Sequence, residues 1–375
     1  MTSFRPTATT YRPGSRTMPG EVYTSPVVFA DEQERIFATQ WCCVGRTATV
    51  ARSGEYVLRT IAGESLIVLR DQQGTLRALF NVCRHRGTRL CREESGRFSE
   101  TIQCPYHAWT YTTDGRLIGA PHMQDVAGFD KGDYPLHAAA VAEWEGFVFV
   151  NVADAPAAFA EAWRPMLGRL ARFDLPSLVV GHHSRYEVAA NWKLVFQNYS
   201  ECLHCPVIHP ELAAVLPYQS GANDLVEGPF LGGYMEIAPP NESATTSGRA
   251  CGLPIGAGVP AGERRRAYYY ALFPNLLLSI HPDYVNYYLV QPVAPDRTVV
   301  ESEWLFHPDT VAGRGPGSPR EAIEFWEVTN RQDWDIVERS QLGIASRRYT
   351  PGPYSPRESI PATWDREYLR LMGRL

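Results

Sequence analysis

Apolar and polar positions are patterned differently in the two parts of the chain. From Trp41 to about Asn151, short alternating or apolar runs are cut by Gly and Asp turns: EYVLRTIAGESLIVLRD, TLRALFNVCRH, TIQCPYHAWTYTTDGRLIG and EGFVFVNVA. This pattern predicts consecutive strands joined by turns such as TTDG, in a small all-β module of about a hundred residues, the usual scale of a domain. Ahead of it, residues 26–40 (PVVFADEQERIFATQ) carry the spacing of a short amphipathic helix, preceded by a mobile arm rich in Thr, Arg and Pro. Beyond Asn151 the period lengthens. DAPAAFAEAWRPMLGRLARF and ANWKLVFQNYSECLHCPVIHPELAAVL have helical spacing, the second broken near Pro206. Residues 210–262 are rich in Gly, Pro and Ala and read as long loops. YYYALFPNLLLSIHP, DYVNYYLVQPVA and RTVVESEWLFHP then read as antiparallel strands. A long C-terminal helix follows, capped by Ser318, with Pro319 in its first turn and Gly343 to end it. The expected fold class is α+β: residues 1–40 an arm and helix, 41–151 the all-β domain, and 152–375 a second domain of antiparallel sheet covered by helices.

Length and charge narrow the function. The chain has 375 residues, enough for two or three domains and a large core. A formal charge of −5 argues against nucleic acid or a membrane surface as partner. No apolar run reaches the length of a membrane span, and MTSFRPTATTYRPGSR has no apolar core of a secretory signal, so a cytoplasmic location is expected. The eight cysteines are therefore read as metal ligands or buried thiols rather than disulfides.

Two constellations carry chemistry. Cys83-Arg84-His85 and Cys104-Pro105-Tyr106-His107 form C-x-H…C-x-x-H, with eighteen residues between His85 and Cys104. Two Cys and two His can also close a structural zinc site. A Rieske cluster is the better reading, since each half supplies one thiolate and one imidazole, so that the two irons can be ligated differently. Cys91 lies between the halves at no motif position and reads as a buried thiol.

Further on, NYSECLHCPVIHP carries Asn198, Glu201, His204 and His209. On a helix Glu201 and His204 share a face, and Pro206 lets the chain turn to bring His209 back. Two His and one carboxylate on one face of an iron leave positions open for O2 and substrate. The C-terminal helix offers two carboxylates. Asp333 shares a face with Trp326, Ile336 and Val337; Asp335 shares one with Arg331, Gln332, Glu338 and Arg339, which reads as solvated. A carboxylate on a buried face needs a partner such as a metal, which selects Asp333.

The CRHRG and CPYHAWTY…DGRL loops, with NYSECLHCPVIHPEL and QDWDIVERSQLG, resemble the oxygenase (alpha) component of Rieske non-haem iron oxygenases, over nearly the whole chain. The resemblance implies a Rieske [2Fe–2S] domain and a catalytic domain with mononuclear Fe(II). Cys83 and Cys104 would bind one cluster iron, His85 and His107 the other; His204, His209 and Asp333 would bind the mononuclear iron. It also implies a homotrimer, with electrons passing from His107 to Glu201 of the neighbouring subunit and on to His204. The chain has no Gly-rich dinucleotide fingerprint, so a separate NAD(P)H-dependent reductase with a ferredoxin domain is expected. Arg84, Arg86, Arg89 and Arg92 could steer it to the cluster. Where ring dioxygenases commonly have Asp, this chain has Glu201, which resembles the branch acting on choline, carnitine and glycine betaine.

The expected activity is O2-dependent hydroxylation or oxidative N-demethylation of a small quaternary ammonium compound, monooxygenation favoured. Aromatics in the predicted sheet (Tyr268, Tyr269, Tyr270, Phe273, Tyr284, Tyr287, Tyr288 and Trp304) could cage the cation, though strand alternation allows at most half to face one cavity. The alternative is hydroxylation or O-demethylation of an aromatic acid, anchored by a pocket Arg or Lys. A Rieske ferredoxin would leave His204, His209 and Asp333 without a role, and a zinc-stabilised binding module would need a basic surface or apolar groove that the sequence does not show.

Overall fold

The computed structural model describes residues 4–375. The chain forms two compact units, Gln33–Ala162 and a larger one made of the stretch ending at Glu32 together with Trp163–Leu375. Among the described residues no helix is long and apolar enough to cross a membrane.

The smaller unit is all antiparallel β. A seven-stranded sheet runs in the order Cys42–Arg46, Phe147–Asn151, Ala138–Trp144, Leu76–Phe80, Glu64–Arg70, Glu55–Ile61 and Ser95–Arg97. A three-stranded sheet of Thr101–Gln103, Thr110–Thr112 and Leu117–Gly119 completes it. The expected TTDG turn links its last two strands: Gly115 takes φ +94°, open to glycine, and its N–H donates to the Thr112 carbonyl at 2.9 Å. Ile67, Leu69, Leu79, Ile102, Trp109 and Tyr111 pack one core against Cys83 and Cys104.

The larger unit is built on an eight-stranded antiparallel sheet, in the order Arg5–Pro6, Ala222–Leu225, Phe230–Glu236, Arg266–Leu272, Leu276–Ile280, Tyr284–Ala294, Arg297–Phe306 and Val179–Val188. Four sequence expectations change. The N-terminal arm is tied down: Arg5–Pro6 pairs with Ala222 and Asn223 at the sheet edge, because a terminal segment that finds an open edge gains backbone hydrogen bonds. The Ala-rich stretch after residue 153 holds only one helical turn, Phe159–Ala162, followed by turns and 3-10 segments, since Pro165 and Gly168 interrupt it. Residues 210–262, expected as loops, contain the helix Pro210–Val215 and two of the sheet strands. The helix expected over 26–40 is split into an α segment, Pro26–Glu32, and a π turn, Gln33–Phe37.

Three helices pack on the sheet and place the chemistry. Trp192–Tyr199 starts at Asn191, whose side chain caps Lys193 N. Pro319–Ile344 starts at Ser318, as the sequence predicts, and Ser359–Leu371 closes the chain. The first and last of these are tied together through Glu32 by a buried polar network. Lys193 pairs with Glu32, both side chains 0% exposed, and Glu32 also accepts from Trp192 Nε1 at 2.8 Å and Tyr368 OH at 2.6 Å. Burial drives the lysine down to about 8 against the opposing pull of Glu32. Removing one member of such a pair leaves an uncompensated buried charge, at a cost of about 3–5 kcal/mol. Lys193→Met should therefore lower the thermal midpoint of the larger unit by roughly 10 °C, and adding Glu32→Gln should restore much of it. Calorimetry checks both.

Candidate metal centres

In the smaller unit two short loops repeat one geometry. Cys83 N donates to Thr88 O at 2.9 Å and Gly87 N to Cys83 O at 3.0 Å; Cys104 N donates to Trp109 O at 2.8 Å and Ala108 N to Cys104 O at 3.1 Å. The fourth residue after each cysteine turns left-handed, Gly87 at φ +74° and Ala108 at φ +56°. An alanine there is mildly strained. Each loop thus presents a cysteine and a histidine from a rigid hairpin. The loop containing Cys83 is held from behind by Asn81, whose Oδ1 accepts from Leu90 N and Cys91 N, each at 2.9 Å, and whose Nδ2 donates to Cys91 O at 2.9 Å.

Cys83 and Cys104 are buried, each 3% exposed, while His85 and His107 lie nearer the surface with ring centroids 4.8 Å apart. Burial raises the Cys83 thiol, partly opposed by a hydrogen bond with Tyr111 and reinforced by the neighbouring Cys104. Tyr111 OH stands 3.3 Å from Cys83 Sγ, and Trp109 stacks on His85. His107 Nδ1 is buried with no hydrogen-bond partner among the described residues. Two adjacent buried thiols and an imidazole nitrogen without a protein partner are a donor set that a [2Fe–2S] cluster fits.

The larger unit brings a second set together. His204, His209 and Asp333 place their ligand atoms within 4.8 Å of one another. Asp333 Oδ1 lies 2.9 Å from His209 Nε2 and 3.3 Å from His204 Nε2. Each ring is oriented from its far side: His204 Nδ1 meets Glu201 Oε1 at 2.5 Å and His209 Nδ1 meets Gln332 Oε1 at 2.7 Å. Glu201 also accepts from Leu203 N. Such partners fix a metal-binding imidazole's tautomer and angle. Burial disfavours a charge on His204, but Asp333 and Glu201 together raise it to about 10. Burial likewise opposes ionisation of Asp333, and its two histidines nevertheless hold it below the usual carboxylate range. The arrangement therefore stabilises positive charge at its centre, and two His with one carboxylate suit Fe(II).

The local structure departs from the sequence reading in instructive ways. The helix Trp192–Tyr199 ends before Glu201, so Glu201 and His204 meet in a turn, not on one helical face. Cys202 and Cys205 form a disulfide across that turn, where burial or metal binding was expected; the turn brings their Cα atoms to 5.0 Å, within disulfide reach. Asp335 is 60% exposed and pairs with Arg339 at 2.7 Å, but Gln332, placed on the solvated face in sequence, reaches inward to His209. Its neighbour Asp333 was the available signal.

Asn198, Glu201, His204, His209 and Asp333 all border one pocket. Of the eight aromatics expected to cage a substrate, only Tyr269 lines it; the others fill the core, as strand alternation requires. The pocket's other rings, Tyr199, Tyr218, Tyr234 and Trp326, come from separate elements. His281 sits behind this wall, stacked on Tyr284 at 4.3 Å, and burial drives it down to about 3, so it adds no cation.

The comparisons agree with this geometry. Residues 40–130 match the Rieske [2Fe–2S] domain and residues 175–374 the ring hydroxylating alpha subunit (catalytic domain). The glycine betaine monooxygenase oxygenase subunit of Chromohalobacter salexigens is 32% identical over 380 residues, covering 92% of this chain and 83% of that protein. The carnitine monooxygenase oxygenase subunit of Escherichia coli is 38% identical over 197 residues, 52% of each chain. A crystal structure of the quaternary ammonium Rieske monooxygenase CntA superposes with TM-score 0.81 at 26% identity over 95% of both chains. Naphthalene 1,2-dioxygenase from Rhodococcus sp. shares the fold, with TM-score 0.75 at 22% identity over 95% of this chain and 94% of that one. Paired Cys/His hairpins in one unit, a His–His–carboxylate pocket in the other and these matches make the chain a member of the Rieske non-haem iron oxygenases, an oxygenase component that pairs a [2Fe–2S] domain with a mononuclear-iron catalytic domain.

Proposed function

We propose that the chain hydroxylates a methyl or methylene carbon beside the nitrogen of a small quaternary ammonium compound, with demethylation where the product collapses. The observation that carries this reading is the pocket itself: the His204–His209–Asp333 centre opens into a space walled by Tyr199, Tyr218, Tyr234, Tyr269 and Trp326. A desolvated cation over such faces gains on the order of 2 kcal/mol. The glycine betaine and carnitine monooxygenase subunits among the relatives support the same class, and the relationship to an N,N-dimethyl phenylurea N-demethylase subunit supports the demethylation outcome.

Cys83 and Cys104 would hold one cluster iron and His85 and His107 the other; His204, His209 and Asp333 would hold Fe(II). When bound, the two groups supply electrons and activate O2. The chain's own residues do the rest. Glu201 and Gln332 fix the imidazole angles, the aromatic wall excludes water and orients the ammonium group, and Asn198 lines the pocket one turn ahead of Glu201. An oxygenase subunit needs a separate reductase, and the exposed Arg86, Arg89 and Arg92, with Arg86 over the ring of the exposed Tyr106, suit an acidic partner. In a homotrimer, Glu201 would bridge His107 of one subunit and His204 of the next and so offer a path for electrons; a solved relative is described in terms of inter-subunit electron transfer.

The test is O2 uptake with reductase across quaternary amines and benzoate-type acids, with formaldehyde or hydroxylated product identified. Turnover of benzoates with no response to any quaternary amine refutes the reading. For the relay, Glu201→Gln should leave both metals bound and slow substrate-dependent reoxidation of the reduced cluster by roughly 10- to 100-fold, the scale of outer ligand-orienting changes. Single-turnover absorption at unchanged iron content measures it, and an unaltered rate rules the relay out.

A further inference from the structure

The pocket wall carries one residue whose charge the reading above leaves unused. Arg357 is the only Arg or Lys among the residues that line it. It belongs to the short turn Pro356–Glu358, which is held by a capping box. The Ser355 hydroxyl accepts from Arg357 N at 3.3 Å, and Glu358 Oε2 accepts from Ser355 N at 2.7 Å. Next to it the Ser359 hydroxyl bonds that of Thr10 at 2.8 Å. The backbone that presents Arg357 is therefore fixed. Its side chain is half-buried, and the guanidinium has no hydrogen bond or ion pair among the described residues; it lies over the face of Tyr218, 5.8 Å from the ring centroid.

A partly buried guanidinium without a counter-charge is costly, and its planar fork of donors matches a carboxylate. Polar groups stand on the same wall. Thr7 Oγ1 accepts from Asn223 Nδ2 at 3.1 Å, which leaves the hydroxyl proton to donate, and both residues line the pocket. The acidic groups, Glu201 and Asp333, belong to the metal centre. We propose that Arg357, steadied by Tyr218 and assisted by Thr7, binds the carboxylate of the substrate, so that the enzyme selects zwitterions that carry both a quaternary nitrogen and a carboxylate over simple quaternary cations. This rests on the quaternary-ammonium reading and deepens it. A plain cation would place a second positive charge in a pocket that already holds Arg357; a zwitterion brings the missing anion with it.

The experiment compares anaerobic calorimetric binding and steady-state turnover of glycine betaine, choline and benzoate by the wild type, Arg357→Gln and Arg357→Lys, each with full cluster absorption and an unchanged thermal midpoint. The wild type should prefer glycine betaine. Arg357→Gln should weaken its binding by on the order of 10- to 100-fold, the scale of a lost charge-assisted hydrogen bond, while choline changes less than about two-fold. Lysine should recover only part, because it offers a point charge in place of a fork. Equal losses for betaine and choline, no loss for either, or a wild type that prefers choline would overturn the carboxylate site while leaving the quaternary-ammonium reading intact. Arg357-dependent binding of benzoate, with neither quaternary compound bound, would overturn both.

Discussion

Replacing Cys104 with alanine is expected to abolish the cluster's visible absorption and, with it, all O2-dependent turnover, while the mononuclear site keeps its iron. Cys104 is 3% exposed in the core of the smaller unit, beside Cys83. A thiolate is an inner ligand, so its loss should exceed the roughly 10- to 100-fold effects seen for outer partners. The hairpin itself does not depend on the sulfur, since backbone bonds between Cys104 and Trp109 and between Ala108 and Cys104 close it. Total iron should therefore fall from three atoms per chain to about one, the cluster accounting for the two lost. Visible absorption and iron analysis read the two outcomes separately. Retained cluster bands would remove Cys104 from the ligand set.

Both Cys/His loops were legible in the sequence because each is local: ligand types, spacing and turn residues lie within a few positions. The same holds for the helix Pro319–Ile344, with Ser318 and Pro319 marking its start. What escaped was set by contacts between distant segments. Gln332 reads as a surface residue until His209, more than a hundred positions earlier, is placed against it. Arg357 has no motif around it and acquires meaning only because the turn at Pro356 faces the pocket. The edge strand Arg5–Pro6 is unrecognisable without Ala222 and Asn223 as its partner. The tyrosine-rich strands misled for a related reason. Period-two alternation and a sheet covered on its faces send most of those rings into the core, so their density reported burial and not a cage.

Asp333→Ala should remove mononuclear iron and all substrate turnover while leaving the cluster intact, and Asp335→Ala should do neither. The two carboxylates are two positions apart on one helix, which puts them on different faces. Asp333 Oδ1 reaches both His209 and His204, at 2.9 and 3.3 Å. Asp335 reaches only Arg339 on the surface, a pair worth a few tenths of a kcal/mol. With Asp333 gone, the centre keeps two imidazoles and loses its one carboxylate donor, so its attraction for Fe(II) falls steeply. Asp333→Glu separates charge from reach: it restores the anion with one methylene more and should recover iron only in part. Iron content by elemental analysis, cluster absorption and single-turnover product formation together score each variant. If Asp333→Ala kept one mononuclear iron per chain and Asp335→Ala lost it, the carboxylate ligand would have to be reassigned to the exposed face. That outcome would require the helix to rotate by nearly half a turn, about 160°, from the face that now buries Trp326 and Val337.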